Sequence, residues 1–191
     1  MSNVLIIAEH FDGKLNGATA KCVAAAQALG PAAIDIAVLA DDPAAVAAEA
    51  ARIDGVRKVL AVANPANAHP VAQVLAPQIV KLADGYSHIF GPSTTFGKDL
   101  MPVVAALLGT AQVSDVMTVE SSHVFTRPIY AGNAVITVEA PTDQTVVATV
   151  RTASWREAGT GGSAEVETVT VDAELPTHTR FINLASGATD R

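Results

Sequence analysis

Two patterns of apolar and polar positions divide the chain near residue 119. Before that point, short continuous apolar runs alternate with longer alanine-rich stretches, and polar or glycine-containing turns separate them. A continuous apolar run of this length is typical of a strand buried on both faces, and an alanine-rich stretch between two such runs is typical of a helix. The pattern predicts strands at residues 3–8, 34–39, 58–62, 88–90 and 111–119.

The stretches between these strands carry the signals of helix ends. Gly30-Pro31 and Gly109 follow two of them, and Asp42 precedes another as an N-cap residue would. The predicted helices are residues 19–29, 44–52, 70–84 and 98–108. Strands and helices that alternate with short connections predict an α/β fold: a doubly wound, mostly parallel sheet with helices on both faces, a three-layer, Rossmann-like architecture.

The pattern changes after residue 119. Three segments alternate apolar with polar positions, as antiparallel strands with one solvent-exposed face do. These segments are residues 124–129, 134–139 and 145–151, with the turn-forming sequences AGN and PTD between them. We therefore expect an antiparallel hairpin extension in the C-terminal third of the chain, followed by a closing strand at residues 166–171.

The length and the pattern together indicate one domain. A chain of 191 residues is long enough for one well-buried α/β domain. We expect that domain to span residues 1–175, with the wound sheet in residues 1–119 and the antiparallel hairpin and closing strand in residues 120–175. Residues 176–191 are expected to form an extended tail.

Composition excludes several classes of function. The net charge is -7 and no basic cluster is present, so nucleic acid is a poor partner. The single cysteine, Cys22, cannot form an internal disulfide and fits a reducing compartment. No apolar run approaches the ~20 residues that span a bilayer, and the start of the chain reads as a strand rather than a targeting signal. We therefore expect a cytoplasmic location.

The loop after the first predicted strand contains Glu9, His10 and Asp12. In doubly wound sheets, ligands bind at the carboxyl ends of the strands. The loop lacks the G-x-G-x-x-G fingerprint of dinucleotide-binding proteins, because its only glycines are Gly13 and Gly17. A polar loop is the favoured interpretation, and ligand contact is the alternative.

The loop after the fourth predicted strand, GPSTTFGKD, resembles a phosphate-binding loop only in part. Its glycine spacing is one residue too long, and a carboxylate stands where the P-loop has a magnesium-binding hydroxyl. A weaker possibility is that Gly91, Ser93, Thr94 and Thr95 bind an anion at the start of the following helix. The alternative is that one of the hydroxyls simply caps that helix.

Metal and nucleophile signals are weak. No two of the five histidines have zinc-ligand spacing, and no cysteine pair accompanies them. Cys22 lies in an alanine-rich segment, where a buried, unreactive thiol is the default. No G-x-S-x-G elbow is present. The sequence therefore predicts no catalytic residue and no metal site.

The predicted hairpin carries four prominent polar residues, Arg127, Tyr130, Asn133 and Arg151. Arg127 precedes a proline and is therefore biased to an extended conformation. The Gly132-Asn133 pair suits a left-handed turn. These residues either build the hairpin, with Arg127 paired to an acidic neighbour, or present a docking surface.

Several segments resemble the α subunit of electron transfer flavoprotein. They are VSDVMTVE, FTRPIYAGNAVITVE, VVATVRTASW, NVLIIAEHFDGKL and IFGPSTTFGKDLMPVVAALLG, of which RPIYAGN followed by TVR is the most specific. The resemblance covers essentially the whole chain. It implies an N-terminal α/β domain with the fold of the β subunit, which usually holds AMP.

The resemblance also implies a function for the intact protein. That protein is an αβ heterodimer with FAD, which accepts electrons from acyl-CoA and other dehydrogenases and passes them to a membrane-bound quinone oxidoreductase. The family's C-terminal domain provides most of the FAD site, and its glycine-rich SGGRG-type segment is absent from this sequence. We therefore expect a scaffold that is not an enzyme, has no cofactor of its own and binds the β subunit. Arg127, Tyr130 and Asn133 are its candidate interface residues. The alternative is an adenine-nucleotide-binding module that uses the Gly91 to Thr95 loop.

Overall fold

The computed structural model describes residues 2–185. Its helices are α1 (Ala18–Gln27), α2 (Ala44–Ala50), α3 (Ala72–Leu82) and α4 (Thr95–Leu108). Its strands are β1 (Asn3–Ile7), β2 (His10–Phe11), β3 (Lys14–Leu15), β4 (Ala33–Ala40), β5 (Lys58–Ala63), β6 (His88–Pro92), β7 (Gln112–Val116), β8 (Thr118–Val119), β9 (Val124–Ile129), β10 (Ala134–Glu139), β11 (Val146–Val150) and β12 (Glu165–Thr168). Short 3₁₀ turns lie at Pro65–Ala68, Tyr130–Gly132 and Thr152–Ser154.

The central sheet contains seven of these strands, in the order β12-β5-β4-β1-β6-β11-β7, within the described residues. Every neighbouring pair in it is parallel. The chain winds from β1 to β4 and β5 on one side, and then returns through α3 to β6 on the other side of β1. The direction of winding therefore reverses between β1 and β6, which makes this the topological switch point.

Two apolar layers cover the sheet. On one face, α1 and α2 pack through small residues such as Ala25 and Ala47, both fully buried. On the other face, α3 and α4 contribute larger side chains, among them Ile79 and Met101. Alanine lets a helix approach the sheet closely, so the alanine-rich composition suits the first layer. The predicted three-layer α/β fold is confirmed.

Helix α4 begins earlier than the predicted residue 98. Thr94 has an extended backbone, and its side chain accepts a hydrogen bond of 3.4 Å from the Gly97 amide. This N-cap places the start of the helix at Thr95. The other end matches the prediction, since Gly109 adopts a left-handed conformation with φ 69°.

The prediction for residues 145–151 is wrong. This segment contains β11, which lies inside the parallel central sheet between β6 and β7, and all five of its residues are buried. The polar residue Thr149 led to the wrong prediction that one face of this strand is exposed to solvent. Its hydroxyl is buried and accepts a hydrogen bond of 2.9 Å from the Asp115 amide, so a polar residue is tolerated in a strand buried on both faces.

The hairpin itself is confirmed and belongs to a separate antiparallel sheet of β8, β9 and β10, here called the small sheet. Six consecutive pairs join β9 to β10, from Ala134–Ile129 to Glu139–Val124. The turn between them has left-handed backbone at Tyr130, Ala131 and Gly132, whereas Asn133 has a φ of -76°. The left-handed conformation predicted for Gly132 is therefore confirmed, and that for Asn133 is wrong.

The last described strand, β12, pairs in parallel with β5 at the other edge of the central sheet. It is shorter than the predicted strand at residues 166–171 and ends at Thr168. The boundaries of the domain and of the tail stay predictions.

Candidate functional site

A cavity of about 770 Å³ lies at the carboxyl ends of β1 and β4, beside the switch point. Its walls come from the β1–β2 connection, the 3₁₀ turn after β5, helix α3, the first turn of α4 and the tail. Apolar side chains form much of the lining, including Ile7, Leu39, Leu75 and Phe96. Its volume lies within the range of ordinary ligand pockets.

The charge of this cavity is negative. The carboxylates of Glu9, Asp12 and Asp99 line it, and no lysine or arginine is among the described residues of its lining. Burial raises the pKa of Glu9, and a hydrogen bond from Thr94 partly offsets the rise. The ring of His10 is held by the Leu39 carbonyl, 2.9 Å from its Nε2. A cavity of this kind repels anions.

Protein groups already engage part of the predicted anion loop, whereas the buried hydroxyl of Ser93 has no hydrogen-bond partner among residues 2–185. The Thr94 hydroxyl donates to Glu9 Oε2 over 3.0 Å while it caps α4, so a carboxylate lies beside the helix N-terminus. Thr95 lines the cavity, whereas Gly91 and Ser93 do not. Gly91 is buried in β6, and the Ser93 amide donates to the Val150 carbonyl over 2.8 Å. Phosphate binding at Gly91, Ser93, Thr94 and Thr95 stays a prediction, and the position of Glu9 argues against it.

The tail covers part of the same cavity. The ring of Phe181 stacks on that of His69, with 3.5 Å between the ring centroids and 19° between the planes. Leu184 also contributes to the lining. The predicted tail begins at residue 176, and no sequence pattern indicates this contact, because an isolated phenylalanine does not identify its partner.

FAD does not fit this cavity. Its pyrophosphate needs backbone N–H groups or cationic side chains, as dinucleotide-binding folds provide. The carboxylates of Glu9, Asp12 and Asp99 line the cavity instead, and Glu9 lies next to the free N–H groups of α4. No described group of three or more His, Cys, Asp or Glu residues could hold a metal ion.

Cys22, the remaining chemical candidate, is fully buried in α1. Burial raises the pKa of its thiol far above the usual value. A thiol is nucleophilic only as the thiolate, so this geometry provides no activated nucleophile.

The small sheet presents the other candidate surface. Tyr130 is 82% exposed and Val135 is 56% exposed. Asn133 supports the turn, because its side-chain amide donates to the Tyr130 carbonyl over 2.9 Å. A large aromatic side chain held outward on a strained turn is typical of an interface residue.

If Arg127 serves to build the hairpin, it is expected to pair with an acidic neighbour. The structure shows no such pair for Arg127 among residues 2–185. Its guanidinium donates to the carbonyl and the hydroxyl of Ser114, over 2.7 and 2.8 Å. The ion pair in this region instead joins Arg151 to Asp115, which has a left-handed φ of 61°. Two arginines thus hold β7 at an irregular point of its pairing with β11. The sequence offered no signal for Ser114, because a serine beside an aspartate is common on any surface.

In residues 2–185, every helix is too short or too polar to cross a membrane.

Several known proteins are similar in sequence to this chain, at 40–48% identity. A family model described as "Electron transfer flavoprotein domain" matches residues 4–174. The electron transfer flavoprotein subunit alpha of Paracoccus denitrificans is 48% identical over 166 residues, which cover 85% of this chain and 52% of that protein. The corresponding subunit of Pseudomonas aeruginosa is 45% identical over 172 residues, covering 90% of this chain and 55% of that protein. The mitochondrial subunit of Dictyostelium discoideum is 40% identical over 173 residues, covering 86% and 48%.

The chain spans about half the length of the curated relatives it matches. The family match includes the whole central sheet and the small sheet. This chain therefore belongs to the electron transfer flavoprotein family and corresponds to the N-terminal part of its α subunit.

Proposed function

We propose that this chain is a scaffold domain of an αβ electron transfer flavoprotein and binds the β subunit through the small sheet. The observation that carries the proposal is the exposed turn at Tyr130, which lies in the segment that most resembles the family. The parallel sheet supplies a rigid support, and β10 of the small sheet exposes Val135, Thr137 and Glu139.

In the intact protein, FAD supplies the redox chemistry: it accepts electrons from acyl-CoA and other dehydrogenases and passes them to a membrane-bound quinone oxidoreductase. The contribution of the present residues is positional. Arg127 fixes the small sheet to β7, and Asn133 holds the Tyr130 turn, so that an interface of fixed shape faces the β subunit. This chain and the whole heterodimer are expected in the cytoplasm, which cell fractionation tests.

Co-expression with a β subunit tests the proposal directly. The chain should co-purify with the β subunit on gel filtration, and the chain alone should elute without visible flavin absorbance. If the two proteins elute at separate volumes, the chain does not bind the β subunit and the proposed scaffold role is wrong. Flavin that stays with the isolated chain would show that it has a cofactor site of its own.

Substitution of Tyr130 tests the surface. In the intact α subunit, Tyr130→Ala should weaken assembly with β by about tenfold, the effect expected for an aromatic interface residue. Titration of labelled β subunit measures the affinity. Phe11→Ala is the matched control, because Phe11 is also an exposed aromatic residue, 71% accessible, but lies in β2. Equal affinities for the parent and Tyr130→Ala would exclude this turn from the interface.

Arg127→Ala separates architecture from docking. Because Arg127 bonds within the domain, its loss should lower the free energy of unfolding by about 1–3 kcal/mol and weaken assembly only as a consequence. Urea unfolding of the isolated chain measures the first effect. A variant that keeps full stability but loses the β subunit would place Arg127 in the interface itself.

The nucleotide alternative has a simple test. Calorimetry with AMP and ATP should give no heat of binding, because Glu9, Asp12 and Asp99 oppose a phosphate in the cavity. Micromolar binding that is lost in Thr94→Val would instead support the nucleotide-binding module.

A further inference from the structure

His88 forms a buried connection between the two sheets. It is the first residue of β6, and its side chain is fully buried. Its Nε2 lies 2.6 Å from the carbonyl oxygen of Ser122, which belongs to the turn between β8 and β9. Its Nδ1 lies 2.9 Å from the hydroxyl of Ser87. One ring thus touches the central sheet and the small sheet at once.

The partners of the ring define its protonation. A carbonyl oxygen only accepts hydrogen bonds, so Nε2 carries the proton that it donates to Ser122. In the neutral ring, Nδ1 is therefore an acceptor and receives the hydroxyl proton of Ser87. The same hydroxyl lies 3.2 Å from the Asn3 carbonyl. It can turn to that carbonyl if Nδ1 gains a proton, so each form of the ring has hydrogen-bond partners.

The surroundings nevertheless disfavour the charged ring. The His123 ring lies with 5.8 Å between the ring centroids, and the Phe90 ring lies nearly perpendicular to the His88 ring at 5.9 Å. Both bonds from the ring go to uncharged groups, Ser87 and Ser122. The ionisable groups on the helices packed against β6 and on the turn before β9 are Lys21 and Cys22 of α1, Lys98 and Asp99 of α4, and Glu120 and His123 of the turn.

We propose that His88 is a pH-sensitive latch that holds the 120–124 end of the small sheet against β6 when its ring is neutral and releases that end when the ring is protonated. The inference concerns this chain alone and does not depend on the proposed docking role. Release breaks the Nε2–Ser122 bond and moves the charged ring toward water, which carries the turn at residues 120–124 away from β6.

The direction of the pH effect follows from the buried state. Burial, the largest cause, and the charge of His123 lower the pKa of His88, whereas the bond to Ser122 raises it in part. The open form, with its ring in water, titrates near the ordinary value of about 6.5. The open form therefore binds protons first as the pH falls. The latch is fully effective above that value and weakens below it, by up to about tenfold for each unit of difference between the two pKa values.

Amide hydrogen exchange on the 191-residue chain tests the latch. Protection of the β9 and β10 amides, after correction for intrinsic exchange, should fall relative to the β4 amides when the pH is lowered from about 7.5 to about 5, by up to about tenfold for each unit of difference between the two pKa values. In the same samples, the ring signals of His88 should titrate below the ordinary value of about 6.5. A constant ratio of protection between the two sheets would overturn the proposal.

Two variants separate the latch from general acid destabilisation. His88→Gln keeps an amide donor for Ser122 but cannot titrate near neutral pH, so the relative protection of the small sheet should no longer depend on pH. His123→Asn removes a charge that lowers the pKa of buried His88, so the gap to the open form narrows and the loss of protection at about pH 5 should be smaller than in the parent. His178→Gln in the tail is the control and should behave as the parent. If His88→Gln does not fold, the parent and His123→Asn decide the question, and a loss of protection in His123→Asn as large as in the parent contradicts the latch.

Discussion

A single glycine, Gly97, determines how closely helix α4 can approach the end of β6. Gly97 lies in the first turn of α4, and a Cβ added there would collide with the backbone oxygen of Pro92. Backbone cannot yield as a flexible side chain can. The glycine therefore permits the close approach of α4 to the end of β6, and the sequence motif that resembles a phosphate loop has a packing reason.

Gly97→Ala should lower the free energy of unfolding by about 1–3 kcal/mol, the usual cost of overpacking. Urea denaturation measures the change. Gly17→Ala is the control: its Cβ would meet Glu157 Oε1 at 2.7 Å, but that carboxylate belongs to a flexible side chain and can move aside. We expect the control to stay within about 0.5 kcal/mol of the parent. Equal losses in the two variants would show that backbone collision is not the cause.

The residues of the candidate site illustrate what could be read from the sequence. A capping hydroxyl before α4 is one of the two roles expected for Ser93, Thr94 and Thr95, and Thr94 takes it. The approach of Glu9 to Thr94 could not be predicted, because it joins residues 85 positions apart in the chain. The partner of Arg127 was missed for a similar reason, since Ser114 reaches it only through the irregular pairing of β7.

At the scale of elements, hydrophobic patterning predicts the helices and the strands well and the partners of the strands less well. The run in β1 is continuous, and its burial on both faces follows directly. The run in β11 contains Thr149, which resembles the exposed position of an alternating strand. The irregular pairing of β7 explains why that hydroxyl is buried. The Asp115 amide has no acceptor in the strand ladder there, and the Thr149 hydroxyl accepts its hydrogen bond instead.

Thr149→Val should therefore lower the free energy of unfolding by about 1–3 kcal/mol, since it leaves the Asp115 amide without its partner. Thermal or urea unfolding measures the loss. Thr137→Val on the exposed face of β10 is the matched control and should have little effect. A stabilised Thr149→Val protein would mean that burial of the added methyl group outweighs the lost hydrogen bond.

At the scale of the whole molecule, Cys22 provides an internal probe of opening. It lies in the fully buried layer between α1 and the sheet, and burial raises its pKa. A thiol reagent should therefore react with the native chain only through unfolding, with a rate that increases with urea in parallel with the global transition. Labelling of the native protein at the rate of a free thiol would show that α1 opens separately from the rest of the fold.

The position of β11 affects how the chain can be assembled during synthesis. β6 is made long before its neighbour β11, and β7 contacts the central sheet through β11, which is made after the whole small sheet. A nascent chain that ends before residue 146 therefore has an open edge at β6 and an unattached β7. Open edges of apolar strands invite mispairing, and pairing over long sequence separations is slow. The most vulnerable period for a newly made chain is thus the interval before β11 is complete, when binding of a chaperone to the β6 edge would be most useful.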